Sequence, residues 1–206
     1  MRKGILFVVS GFAGVGKGTV IKELISRHEG YVLSVSATTR APRPYEQDGR
    51  EYFFLTQERF EQMVEEDAFL EYARYTDQSY GTPKAFVDRQ LNEGRNVILE
   101  IEVQGALQIK ERCPDTPLIF IVPPSIEELK ARLIGRGTET ADKIEKRLKR
   151  AKEEAQLIES YDYVLVNDDA GGCAERLHGL IEAIGAQTMR NRELIGELRQ
   201  QAMTIL

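Results

Sequence analysis

The stretch Gly11-Phe12-Ala13-Gly14-Val15-Gly16-Lys17-Gly18-Thr19 constrains this chain more than any other. It follows Ile5-Leu6-Phe7-Val8-Val9, a short continuous apolar run that suits a strand buried on both faces. From Lys17 onward, Val20, Ile21, Leu24 and Ile25 recur at helical spacing. Similar apolar runs return at Asn96-Val97-Ile98-Leu99, Leu118-Ile119-Phe120-Ile121-Val122 and Tyr163-Val164-Leu165-Val166. The segments 103–112, 125–135 and 174–199 carry helical patterns. Buried strands alternating with helices predict an α/β fold with a mainly parallel sheet.

The chain has 206 residues, which is the length of one domain with room for insertions. At 42% hydrophobic and 30% charged it excludes disordered and collagenous classes. The net charge of -5 argues against a general nucleic-acid binder. Cys113 and Cys173 make no disulfide framework, and no four-ligand zinc site is expected of them with His28 and His178. The apolar run before the glycine loop is too short for a signal-peptide core, and nothing approaches the roughly 20 apolar residues of a membrane span. A soluble cytoplasmic protein with reduced thiols is expected.

Two stretches depart from the strand–helix rhythm. Residues 34–84 hold short polar and aromatic segments, Glu51-Tyr52-Phe53-Phe54 and Phe69-Leu70-Glu71-Tyr72, with turn signals at Asp48-Gly49 and Ala41-Pro42-Arg43-Pro44. They read as a small α+β insertion. Residues 125–158 are nearly all helix formers and are rich in lysine and arginine. Neither stretch has enough apolar residues to build a core of its own, so both are expected to project from the sheet and to move against it.

The spacing Gly-x4-Gly-Lys in the first loop is that of the phosphate-cradling P-loop. Glycines let successive backbone N–H groups turn toward a polyphosphate without Cβ obstruction. The helix that begins near Lys17 offers its unpaired N–H groups and positive dipole end to the same anion. Lys17 then reaches the β- and γ-phosphates. A strand-to-helix turn that binds nothing is the competing account, and the lysine and strand–loop–helix context speak against it. The motif also asks for Ser or Thr directly after the lysine, to give Mg²⁺ a hydroxyl. Gly18 has none, and Thr19 lies about 100° further round a helix. The expectation is therefore that Mg²⁺ is held by ATP phosphates and water, with no protein ligand assigned.

The segment Ser34-Val35-Ser36-Ala37-Thr38-Thr39-Arg40-Ala41-Pro42-Arg43-Pro44 pairs two arginines three residues apart on a proline-stiffened backbone. Planar guanidinium forks on a rigid chain suit a phosphate monoester. Gly49-Arg50-Glu51-Tyr52-Phe53-Phe54, Phe69-Leu70-Glu71-Tyr72-Ala73 and Tyr80-Gly81-Thr82-Pro83 follow. With the glycine loop, these motifs resemble guanylate kinases, which phosphorylate GMP with ATP; the likeness runs from Gly4 to about Ile184.

The resemblance implies a P-loop three-layer core over 1–33, 85–124 and 159–206, a GMP-binding insertion over 34–84 and a helical lid over 125–158. By it, Gly11, Phe12, Ala13, Gly14, Val15, Gly16, Lys17, Gly18 and Thr19 bind ATP. Arg40, Arg43, Tyr52 and Tyr80 hold the GMP phosphate with Ser36 nearby, and Glu71, Thr82 and Glu100 read guanine. Lys17, Arg132, Arg136 and Arg147 are the catalytic cations. The partners are ATP and GMP, with no nucleic acid and no membrane, in a monomer or homodimer.

The chemistry of the residues agrees. Guanine offers N1–H and the 2-amino group as adjacent donors that one carboxylate can accept, and adenine offers no such pair. A solvated surface acid is the bland alternative for Glu71. Ile98-Leu99-Glu100-Ile101-Glu102 places carboxylates at the C-terminal end of a buried strand, where open α/β sheets bind ligands. Many guanylate kinases carry Asp at these two places, and either acid can instead order water around Mg²⁺. Arg132 and Arg136 lie four apart on one helical face beside Gly135 and Gly137. Asn167-Asp168-Asp169 fits either a nucleotide-base contact or the cap of the last helix.

No His–carboxylate or nucleophile–base pair stands out, and none is needed, because a phosphate monoester with a second pKa near 6 is largely ionised at pH 7. A P-loop kinase of another phosphorylated acceptor, such as ribose 1,5-bisphosphate, is one alternative. Adenylate kinases share the Gly-Lys-Gly-Thr variant. An inert guanylate-kinase-like binding module is another, though such modules usually lose the P-loop lysine present here as Lys17.

Overall fold

A computed structural model describes residues 3–75, 77–135 and 140–205. The chain opens with β1 (Leu6–Gly11), α1 (Lys17–Arg27) and β2 (Tyr31–Leu33). After β2 it enters β3 (Ser36–Thr38), β4 (Tyr52–Phe54), α2 (Gln57–Glu65), β5 (Phe69–Tyr75) and β6 (Gln78–Pro83). It returns through α3 (Lys84–Asn92), β7 (Asn96–Glu100), α4 (Val103–Arg112) and β8 (Leu118–Val122). Helices α5 (Ile126–Gly135) and α6 (Ala141–Ala155) come next, followed by β9 (Tyr163–Val166), α7 (Ala170–Gly185) and α8 (Arg192–Ile205).

Five strands form one sheet in the order β2-β7-β1-β8-β9, and every pair in it is parallel. The reason is the apolar content of its strands. Phe7, Val8, Val9, Ile98, Leu99 and Leu118 through Ile121 are fully buried, which requires helices on both faces. The chain reverses direction of travel across the sheet at β1, which lies between β7 and β8. Ligands in such sheets gather outside the carboxyl ends of the strands at this switch. Gly11 and Glu100 end two adjacent strands there.

A second sheet has four strands in the order β4-β3-β6-β5. Here β3 pairs parallel with β4 and antiparallel with β6, so the stretch 34–84 is the small α+β unit expected. It departs from expectation in one respect. Ala37, Phe60 and Phe69 are buried together, with Phe53, Leu55, Met63 and Val64 packed against them, so this stretch does have a small hydrophobic cluster of its own. Phe60 and Phe69 stack at 4.6 Å between centroids. The aromatic residues compensate for the brevity of the strands, since each buries a large area.

The segment 174–199, which carries a helical pattern, is divided between two helices. α7 ends at Gly185, a 3-10 turn spans Thr188–Asn191, and α8 begins at Arg192. The Asn191 side-chain amide donates to the carbonyls of Gly185 (3.0 Å) and Gln187 (2.8 Å), satisfying the orphan acceptors that a helix end exposes. Among the described residues no helix is long and apolar enough to cross a membrane.

Candidate active site

The glycine loop leaves β1 at the carboxyl edge and becomes the N-terminus of α1. Gly16 caps that helix in a left-handed conformation (φ 97°, ψ 20°), which a residue with a Cβ adopts only at a cost. A Cβ there would also come within 2.8 Å of Asn167 Nδ2, and one on Gly14 (φ 92°) within 2.5 Å of Leu133 Cδ2. The loop is therefore both turned and tightly overlaid. Asn167 Nδ2 donates to the Val15 carbonyl at 2.7 Å, and Arg132 Nη1 donates to the same oxygen at 3.3 Å. Two elements far along the chain thus brace the cradle from outside.

Lys17 folds over the loop, and its Nζ donates to the Gly11 carbonyl at 2.6 Å and to that of Phe12 at 3.3 Å. Burial pushes its pKa down, and the carboxylates of Glu100, Glu154 and Glu102 oppose that shift. Gly18, one residue on, faces Glu100: a Cβ on it would lie 3.9 Å from both carboxylate oxygens. Thr19 is exposed on the first turn of α1.

Beside the loop lies a cavity of about 380 Å³ lined by Lys17, Glu100, Glu102 and Arg150, among others. A second cavity, of about 400 Å³, brings together Ser36, Tyr52, Glu71, Tyr80 and Glu100. Five of the eight acceptor residues singled out in the sequence meet here. The two cavities share a wall of Tyr52, Glu100, Ile101 and Glu102. The phosphate cradle and the second pocket are therefore immediate neighbours.

Glu71 is 6% exposed, and burial raises its pKa against the opposing effect of bonds from Thr82. Thr82 is fully buried behind it and donates its hydroxyl to Glu71 Oε1 at 2.7 Å. Thr82 thus supports the carboxylate from behind. Glu100 stays open to solvent in the cleft, and the desolvation it does feel raises its pKa against Lys17 and Lys22.

The arginine pair adjoins the second cavity. The Arg40 guanidinium lies 5.3 Å from the Tyr52 ring centroid, and Tyr52 and Tyr80 meet edge-on at 6.1 Å. Glu46, which the sequence reading passed over, organises this corner. Its Oε1 takes Arg40 Nη2 at 2.9 Å and its Oε2 takes the Arg43 N–H at 2.8 Å, with its side chain only 5% exposed. Those two bonds hold the Glu46 carboxyl below the usual carboxylate range. Arg43 itself reaches the Tyr45 hydroxyl at 3.3 Å.

Of the basic residues expected over the cleft, Arg132 lies on α5 against the glycine loop and is paired with Glu128 at 2.9 Å. Arg147 sits half-buried on α6, and Arg136 lies outside the described residues. Arg150, not anticipated, lines the cleft with Lys17 and is paired with Glu102 and with Glu154 (3.0 Å). Of the two readings for Asn167-Asp168-Asp169, Asp169 is the cap, accepting from the N–H groups of Gly171 (3.0 Å) and Gly172 (2.8 Å).

This geometry has close counterparts. Residues 3–184 match the guanylate kinase family. A guanylate kinase of Clostridioides difficile is 50% identical over 197 residues, covering 96% of each chain. One of Caldanaerobacter subterraneus subsp. tengcongensis is 47% identical and covers 98% of each. This chain belongs to the guanylate kinase family. The crystal structure of guanylate kinase from Anaplasma phagocytophilum superimposes with a TM-score of 0.73 at 33% identity, covering 94% of both chains. The guanylate kinase architecture thus extends to the small second sheet as well as to the parallel core.

Proposed function

We propose that this guanylate kinase transfers the γ-phosphoryl group of ATP to the phosphate of GMP, giving ADP and GDP. The observation that carries the reading is the wall of Tyr52, Glu100, Ile101 and Glu102 common to the two cavities, because in-line transfer requires donor and acceptor phosphates in contact. The loop Gly11–Thr19 takes the ATP phosphates. Arg40, Arg43, Tyr52 and Tyr80 take the GMP phosphate with Ser36 beside them. Glu71, backed by Thr82, accepts the N1–H and 2-amino donors of guanine, and Glu100 assists.

Catalysis in this scheme is positioning and charge stabilisation. The attacking phosphate oxygen is ionised at pH 7 and needs no base. Lys17, half-buried beside the acidic cleft, stabilises the charge on the transferring group, and Arg132, Arg136 and Arg147 close over it. The stretches 34–84 and 125–158 move toward the core over 1–33, 85–124 and 159–206, which excludes water as a competing acceptor.

Mg²⁺ suits the donor set. The ion keeps several waters and binds through one or two carboxylates together with substrate phosphates. Glu100 and Glu102 flank the Lys17 cleft, and Gly18 supplies no hydroxyl, so hold through water fits these residues. When bound, Mg²⁺ neutralises charge on the β- and γ-phosphates. The protein works in the cytoplasm, a compartment that suits its free Cys113 and Cys173.

The test is steady-state phosphorylation of GMP, AMP, CMP and UMP by Mg-ATP. Turnover with GMP far above the other three supports the reading. Comparable turnover of AMP, or none of GMP, contradicts it.

A further inference from the structure

Glu71 lies where the small sheet slips. β5 and β6 pair Phe69 with Pro83 and Tyr72 with Gly81, so one extra residue is accommodated across Leu70 and Glu71. A bulge of this kind re-aims a side chain out of the usual alternation. Two residues of α4 meet the strand at that point. Gln108 Oε1 accepts from the Tyr72 N–H at 3.2 Å, and Gln108 Nε2 donates to the Tyr72 carbonyl at 3.0 Å, so the amide grips the backbone next to Glu71 from both sides. One turn earlier, Gly105 lies beneath the carboxylate. A Cβ on Gly105 would come within 2.7 Å of Glu71 Oε2 and 3.3 Å of its Cδ. Gly105 lines the same cavity as Glu71.

We propose that α4 is the gauge for guanine selection: Gln108 fixes the strand, and Gly105 leaves the berth in which the Glu71 carboxylate reaches its reading position. Both are positioning residues, and the inference rests on the reading of Glu71 as the guanine acceptor. The chemistry sets a narrow tolerance. Guanine presents two adjacent donors, so both carboxylate oxygens have to face one edge, and Oε1 already takes the Thr82 hydroxyl with one of its lone pairs. A methyl group at position 105 pushes Oε2 while Thr82 holds Oε1 and Gln108 holds the backbone, leaving rotation of the carboxylate as the response. The fold is spared, because the displaced atom is the end of a side chain and Ala is the better helix former than Gly.

The experiment measures kcat and KM for GMP and for inosine monophosphate, which lacks the 2-amino group, in Gly105→Ala, Gln108→Ala, Glu71→Gln, Glu71→Asp and the double variant Glu71→Asp/Gly105→Ala. Gly105→Ala is expected to raise KM for GMP about tenfold, to shrink the preference for GMP over inosine monophosphate, and to leave KM for ATP and Tm near wild type. Gln108→Ala is expected to shift the same quantities about threefold, and it carries the test if Gly105→Ala cannot be purified. The double variant is expected to be no worse than Glu71→Asp alone, because the shorter side chain withdraws from position 105. Wild-type KM and preference in Gly105→Ala, alongside a loss of both in Glu71→Gln, would overturn the gauge and leave the reading of Glu71 intact. An unchanged preference in Glu71→Gln would overturn the reading of Glu71, and the gauge with it.

Discussion

On the donor side of the cleft the ligand-facing surface is backbone: a glycine loop fixed between a strand with no exposed face and a helix packed on α7, and braced through Val15 by Asn167 and Arg132. On the acceptor side it is side chains, carried on strands of three to seven residues above a cluster of a few aromatic and aliphatic residues. There the order comes from charge: Glu46 spans Arg40 and Arg43, and Thr82 and α4 hold Glu71. Backbone amides suit any polyphosphate, so the donor side can be rigid and general. Selection among acceptors needs individually aimed groups, and these need individual supports.

Substitutions that act on one side alone are the means of breaking this comparison. Lys17→Ala is expected to have the largest effect, lowering kcat by about 10³-fold with KM for GMP within about threefold of wild type. A parallel collapse in GMP binding would mean that the sides are not separable. Glu46→Ala comes next, raising KM for GMP about tenfold while KM for ATP holds, because Arg40 and Arg43 lose the partner that preorganises them. Its effect should be largely lost in an Arg40→Ala background, which a double-mutant cycle would reveal. Asn167→Ala leaves the Val15 carbonyl with only the longer bond from Arg132, at a cost of about 1 kcal/mol, and so lowers Tm and raises KM for ATP a few-fold with KM for GMP unmoved.

The smallest effect sharpens the electrostatic half of the comparison. Burial raises the Glu71 pKa, so the group binds its proton more tightly in the folded protein than in the unfolded chain. Stability from this group is therefore greatest at low pH and declines as pH rises through the raised value. Glu71→Gln removes that decline, and its Tm should slightly exceed wild type at pH 8, with the difference vanishing near pH 4. Equal Tm values across the range would contradict the sign. In the wild type, KM for GMP should climb on acidification before ordinary carboxylates titrate.

Legibility in the sequence follows the same division. The loop Gly11–Thr19 and its strand are local: apolar run, glycines, lysine and helix pattern lie within twenty-odd residues of one another, and the structure has each where the pattern puts it. The strands at 118–122 and 163–166 are equally local. Asp169 behaves as its residue type alone predicts and caps α7. Asn167, two positions away, does not, because its partner Val15 is 152 residues distant and nothing nearby encodes the contact. Glu46 was hidden for another reason: among exposed-looking acids between prolines and tyrosines, only the folded turn shows which one meets both arginines. Gly105 looks like an ordinary helix residue until β5 crosses it. The break at Asn191 depends on a side chain competing for helix-end carbonyls, which periodicity does not detect.

A single ligand can address both sides at once: adenosine and guanosine joined by five phosphates, titrated calorimetrically with Mg²⁺. If the cradle at Lys17 and the pocket at Glu71 are two ends of one cleft, this compound binds at one per chain, far more tightly than ATP or GMP, and excludes both. Binding no tighter than ATP, with GMP still able to enter, would contradict the shared wall on which the account stands.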